Sequence, residues 1–292
     1  MFTDFTQTVP PPPARPPGTA EDWTIPQNWE RFGAEEHRVW DVLYARQRRK
    51  LAGRAVAEFE DGLDSLLLSR SGIPDFDDLN ARLSDRSGWT VVAVPGLLPD
   101  EIFFAHLARR QFPAGNFIRP ASSLDYLEEP DVFHDVFGHV PMLATRWFAD
   151  FMQRLGEEGL KAVAKDRVAI FSRLYWFTVE FGMAREEGAL RLYGAGLASS
   201  FGEAAYALDS VRPERLPFDL ERVIRTPYRS DVFQPRYFVV DGLEMLRTGI
   251  DLDRLEESLD AMQEPGRAPS ASGGVSSVRP EPVEGLPFPP AV

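Results

Sequence analysis

Pro130-Asp131-Val132-Phe133-His134-Asp135-Val136-Phe137-Gly138-His139-Val140-Pro141 places two of the chain's four histidines five positions apart, among apolar and aromatic residues and between two prolines. His37 and His106 stand alone in ordinary amphipathic stretches. Two imidazoles in such a setting are costly unless something ties them down. One reading makes them core histidines satisfied by the backbone or by Asp131 and Asp135; the other makes them metal ligands. The zinc-hydrolase pattern His-Glu-x-x-His sets its ligands at i and i+4, about 40° apart around a helix, whereas i and i+5 lie about 140° apart. The pattern therefore fails on spacing, and also on the acid, which is Asp135. Both rings reach one ion only if the helix loosens, and Gly138 and Pro141 supply the means.

A site of this kind needs a carboxylate from elsewhere. Leu174-Tyr175-Trp176-Phe177-Thr178-Val179-Glu180-Phe181-Gly182-Met183 is apolar on every helical face and holds a single acid. A buried carboxylate needs a cation, either Arg173 or Arg185 or a metal. Two histidines and one carboxylate with open positions suit non-haem ferrous iron.

The rest of the chain bounds the possibilities. It has 292 residues, 43% of them hydrophobic, enough for a sizeable core. With 32 basic against 45 acidic residues the net charge is −13, and only Lys50, Lys161 and Lys165 are lysines. No nucleic acid and no anionic membrane is expected as a partner, since each needs a concentrated positive surface. The absence of cysteine excludes thiolate metal sites, disulfides and thiol nucleophiles. The first residues carry no basic, apolar leader and no run approaches the roughly 18 apolar residues of a spanning helix, so a cytoplasmic protein is expected. Residues 1–20 and 264–292, rich in Pro or in Pro, Gly and Ser, read as disordered tails around one domain over 21–263.

Within that domain helical periods dominate. Helices are expected over 34–55, 75–83, 99–112, 144–164, 168–186, from about 200, and over 252–262; strands are expected over 89–94, 190–193 and 236–240. Asp75, Asp77 and Asp78 read as helix-capping acids rather than a calcium site. Ser200-x-x-Glu203 reads as a capping box. Gly194-x-Gly196 lacks the third glycine of a dinucleotide fingerprint, Ser199 standing in its place, so NAD is not expected. The class is mainly α (α+β), a single helical domain with a few short strands.

Three runs in order, 129–143, 175–182 and Tyr193-Gly194-Ala195-Gly196-Leu197-Ala198-Ser199-Ser200-Phe201-Gly202-Glu203, closely resemble the catalytic domain of the pterin-dependent aromatic amino acid hydroxylases, and among these the bacterial phenylalanine-hydroxylating branch. The resemblance covers most of 21–263. It implies a mononuclear Fe(II) held by His134, His139 and Glu180, with tetrahydrobiopterin or a related tetrahydropterin as electron donor and O₂ as oxidant. The implied substrate is an aromatic amino acid, with tryptophan or tyrosine hydroxylation as the sister alternatives.

The resemblance further implies that Arg119, in Asn116-Phe117-Ile118-Arg119-Pro120, binds the substrate carboxylate with Asp131 orienting it. Trp176 and Phe181 would wall the ring, with Pro130 pressing on its other side. Gly196 would let backbone approach the substrate, and Ser199 would steady an iron-bound histidine. Val94, Leu98 and Phe103 would line the pterin site, with Asp135 near it, directly or through water. Trp176 is four residues before Glu180, which predicts a shared helical face. Pro113 departs from the aromatic or His of animal relatives. Neither an allosteric domain nor a tetramerising heptad helix is expected, which leaves a monomer or weak dimer.

Overall fold

The computed structural model describes residues 14–125, 129–230, 232–248 and 250. The helix expected over 252–262, the tail over 264–292 and most of the tail over 1–20 lie outside the described residues. Helices carry the fold. α1 (Ala34–Leu51), α2 (Ala57–Ser65) and α3 (Phe76–Ser87) lead into β1 (Thr90–Val94), α4 (Asp100–Ala108) and β2 (Gln111–Gly115). The histidine segment Phe133–His139 runs into α5 (Val140–Leu143), followed by α6 (Arg146–Ala164) and α7 (Val168–Tyr175). After the segment Trp176–Glu180 come β3 (Met183–Glu186), β4 (Ala189–Leu192), α8 (Ala195–Ser199), α9 (Phe201–Asp209), β5 (Glu214–Pro217), α10 (Leu220–Arg225), β6 (Arg236–Val240) and α11 (Glu244–Thr248).

Several boundaries follow from local chemistry. The Asp75 carboxylate accepts the Asp77 N–H at 2.9 Å, so the aspartate cluster caps α3 as its sequence suggests. Gly88, at φ 77°, closes the same helix in the left-handed region. Two expected helices stop early. That of 99–112 ends at Ala108, and Gln111–Gly115 instead pairs in parallel with β1, Phe112 opposite Val91. That of 168–186 gives way to a hairpin: Glu187 and Gly188 both take positive φ, the two-residue turn that matches strand twist, and set Glu186 opposite Ala189. β3 then pairs with β6, and β6 with β5, in the order β4-β3-β6-β5. In both cases long-range pairing overrides a helical period.

Among the described residues, most of the buried apolar side chains form one cluster. Behind the histidines, Phe133 and Phe137 stack at 4.7 Å, with Trp40 of α1 edge-on to the first and Phe59 of α2 edge-on to the second. Each such aromatic pair adds about 0.5–1.5 kcal/mol beyond its area. One side of the histidine segment is thereby anchored in the core while the other carries the polar groups. No helix among the described residues is long and apolar enough to cross a membrane.

Candidate metal centre

The loosening of the histidine helix spans the whole segment. Phe133–His139 is a π-helix, whose i→i+5 hydrogen bonds bring residues five apart into register along one face. His134 and His139, badly placed on an α-helix, therefore converge, their ring centroids 5.2 Å apart. Gly138 is not left-handed; its missing side chain lets the Ala195 carbonyl approach to 2.9 Å from where a Cβ would stand. α8 is thereby seated against the histidines.

A second π-helical turn, Trp176–Glu180, delivers the carboxylate. Glu180 Oε1 lies 3.0 Å from His139 Nε2, and Oε2 lies 3.6 Å from His134 Nε2. Arg173 instead donates to the Ile224 carbonyl and Arg185 to that of Gly188. The tautomer of His134 follows from its partner. Ser199 Oγ donates to the Ala195 carbonyl and so can only accept from His134 Nδ1, 2.8 Å away, which leaves a lone pair on Nε2 facing Glu180. Burial holds His134 down to about 4, so the ring is neutral at pH 7. Burial pushes Glu180 up, but the charge and hydrogen bond of His139, with help from His134 and the Gly196 N–H, bring it below the ordinary carboxylate value.

The His134 Nε2 lone pair facing the Glu180 carboxylate calls for a cation between them. Two ligands about 2.1 Å from one ion and at right angles to it stand about 3 Å apart, so the donor set fits a metal. Asp135 also has an oxygen within 4.8 Å of both histidines. Asp135 Oδ2 accepts the Gly115 N–H at 2.7 Å, whereas both oxygens of Glu180 face the two imidazoles.

Arg119 and Asp131, both buried, form a two-pronged pair: Nε to Oδ2 and Nη2 to Oδ1, each 2.8 Å. Asp131 also accepts the N–H of Arg119 and that of His134, which links the arginine to the histidine helix. Burial pushes the Asp131 carboxyl up, but Arg119's hydrogen bonds and charge outweigh this and hold it below the usual range. The Nε edge of the guanidinium is thus occupied; among the described residues the Nη1 edge has only a 3.4 Å contact with the Leu124 carbonyl. That edge is the one available to a carboxylate ligand.

Phe103 meets Tyr175 edge-on at 5.5 Å, and Tyr175 lies 6.4 Å from His139, so the α4 aromatic and the histidines share a wall. Val94 is buried at the end of β1, where its carbonyl accepts the Asn116 N–H, and Leu98 is half-buried in the following loop. Gly196 packs against the Phe181 ring, 2.8 Å from where a Cβ would stand.

The expected face-sharing of Trp176 and Glu180 changes in the π-turn. The Phe181 N–H reaches the Trp176 carbonyl, and the Trp176 ring lies 4.7 Å from that of Phe181, its i+5 neighbour. Sequence reasoning passes over Tyr228, which stacks on Trp176 at 4.2 Å, and Gln234, which accepts its indole N–H at 3.1 Å. Both sit in an irregular stretch where no periodicity marks them. The Ser200–Glu203 capping box is half realised: Ser200 accepts the Glu203 N–H, while the Glu203 carboxylate turns inward to the Gln234 N–H and the Tyr237 hydroxyl.

Comparison with known proteins points the same way. The model of the biopterin-dependent aromatic amino acid hydroxylase family matches residues 24–254. A phenylalanine-4-hydroxylase of Caulobacter vibrioides is 54% identical over 260 residues, 88% of each chain. The crystal structure of Chromobacterium violaceum phenylalanine hydroxylase with bound iron(III) and 7,8-dihydrobiopterin superposes with a TM-score of 0.79 at 47% identity, covering 84% of this chain and 89% of that one. The iron- and phenylalanine-bound structure of the same enzyme gives 0.77 at 45% identity, with the same coverage.

Proposed function

Since the chain belongs to the biopterin-dependent aromatic amino acid hydroxylases, we propose that it converts L-phenylalanine to L-tyrosine with O₂ and a tetrahydropterin at a mononuclear Fe(II) site. The observation that carries this reading is the convergence of two imidazole nitrogens on the two oxygens of Glu180. His134, His139 and Glu180 would hold the iron as a face of two neutral rings and one carboxylate, which leaves positions open on one side. Bound iron supplies the activation of dioxygen, with the pterin as the two-electron donor.

The chain's own residues do the rest. Arg119 offers its Nη1 edge to the substrate carboxylate while Asp131 holds the opposite edge, so the clamp is pre-oriented before substrate arrives. Trp176 and Phe181 wall the aromatic ring, and Gly196 keeps the backbone beside them close. Ser199 holds His134 in the tautomer that directs Nε2 inward. Phe103, Val94 and Leu98 form the pterin side, with Asp135 behind it. The apolar lining excludes bulk water from the ring.

The test is an assay with ferrous iron, tetrahydropterin and O₂ on phenylalanine, tyrosine and tryptophan, with product measured against pterin oxidised. Tyrosine from phenylalanine is expected as the principal product. Much faster turnover of tryptophan would overturn the substrate assignment, and full activity with zinc under nitrogen would overturn the oxygenase. We also propose that residues 21–263 act as one catalytic unit, a cytoplasmic monomer or weak dimer. The single continuous core supports one unit; light scattering and cell fractionation check the other two.

A further inference from the structure

Trp176 carries one hydrogen-bonding group, the indole N–H, and donates it to Gln234 Oε1. Gln234 is an unusual partner. It is 1% exposed, although its neighbours Val232 and Phe233 are 44% and 48% exposed, so the loop turns this one amide inward. Its Nε2 donates to the Arg229 carbonyl at 2.7 Å and the Val232 carbonyl at 3.1 Å. Its backbone N–H is held at 2.9 Å by Glu203 Oε1, the same oxygen that accepts the Tyr237 hydroxyl.

These partners leave the amide one orientation. Two carbonyls must face the NH₂ group, so the oxygen must face the indole. The other side of the indole is stacked on Tyr228, with ring planes 15° apart. Tyr228 immediately precedes Arg229, whose carbonyl Gln234 holds. A single buried side chain therefore holds the Trp176 indole directly and the backbone of the residue that follows Tyr228.

We propose that Gln234 is a positioning residue for substrate recognition: it sets the angle of the Trp176 indole against the aromatic ring of the bound amino acid, with Glu203 and Tyr237 as its fixed base. The inference rests on the reading of Trp176 as a wall of the amino-acid site. A purely structural staple would hold the loop and leave recognition of the ring unchanged.

The experiment is a double-mutant cycle between Gln234→Met and Trp176→Phe, with phenylalanine binding to the iron-loaded, pterin-containing protein read by calorimetry. Gln234→Met should weaken phenylalanine binding about three- to tenfold, the scale of one hydrogen bond, with iron content and pterin affinity unchanged. In the Trp176→Phe background the same change should alter binding less than about twofold. An unaltered phenylalanine affinity in Gln234→Met, or an equal loss in both backgrounds, overturns the proposal. If Gln234→Met fails to fold, the wild-type indole spectrum decides. The Trp176 resonance, identified by its absence in Trp176→Phe, should exchange slowly and shift on adding phenylalanine; fast exchange or no shift overturns the proposal. Wild-type protein that binds phenylalanine yet forms no tyrosine would overturn the hydroxylase reading and leave this comparison intact.

Discussion

Replacing Asp131 by asparagine tests how the arginine clamp and the histidine helix are held together. Asp131 is fully buried and accepts four hydrogen bonds, Oδ1 from Arg119 Nη2 and His134 N, Oδ2 from Arg119 N and Nε, at 2.8–3.0 Å. Whichever way an asparagine amide is turned, its NH₂ faces two donors, so two of the four bonds are lost. Arg119, 7% exposed, also loses its counter-charge. Breaking a buried pair from one side costs about 3–5 kcal/mol, and two lost bonds to a charged group come to a similar sum. Against a total stability of roughly 5–15 kcal/mol this is a large fraction. With a slope near 3 kcal/mol per molar urea, the unfolding midpoint should fall by about 1–2 M. The carboxyl's proton affinity is lowered in the folded state, so its stabilisation is present above the unfolded value of 3.8 and lost as pH falls through the folded one. The gap between wild type and variant should accordingly narrow below about pH 4. A midpoint within about 0.3 M of wild type at pH 7 would refute the account of a dry, fully engaged pair.

Ser199→Ala removes the acceptor that fixes His134, and should weaken iron affinity about 10–100-fold by chelator competition, with the fold retained; unchanged affinity would show that the serine does not orient the ring. Burial pushes Glu203 up to about 7 against an ordinary 4.5, while its bonds to Gln234 and Tyr237 pull it back. Its contribution to stability is therefore full below about pH 4.5 and lost as pH rises through about 7, by as much as ~3 kcal/mol, so Glu203→Gln should flatten the stability profile over that window. A profile parallel to wild type would sink the assignment. Gly62→Ala would set a Cβ 2.1 Å from the Pro141 carbonyl oxygen, backbone against backbone where α2 crosses α5. Overpacking of this kind costs about 1–3 kcal/mol or more, and should lower the melting temperature by roughly 4 °C or more; an unaltered transition would mean that the two helices separate freely.

Elements whose own side chains encode their burial were legible in the chain. α1, α3, α6 and β6 follow their expected periods, because an amphipathic stripe is a local property. The stretches 99–112 and 168–186 read as unbroken helices because their composition suits helices; β2 forms because β1 offers it a strand partner, and β3 because it closes a hairpin with β4 and pairs with the distant β6. The site divides in the same way. His134, His139 and Glu180 stood out because buried ionisable groups are costly without a purpose. Tyr228 and Gln234 did not, since a tyrosine and a glutamine in an irregular stretch carry no such penalty until the fold buries them.

The amino-acid sequence alone determined which imidazoles and carboxylates stand among apolar residues, the absence of competing thiolates and a mainly helical domain, since these depend on which side chains are present and how they repeat. Tertiary structure alone decided how histidines five apart could meet: two π-turns, the first backed by stacked aromatics and by α8, turn both imidazoles onto one carboxylate. An isolated helix would revert to α geometry, where the rings diverge; packing against the rest of the core is what holds the looser winding in place.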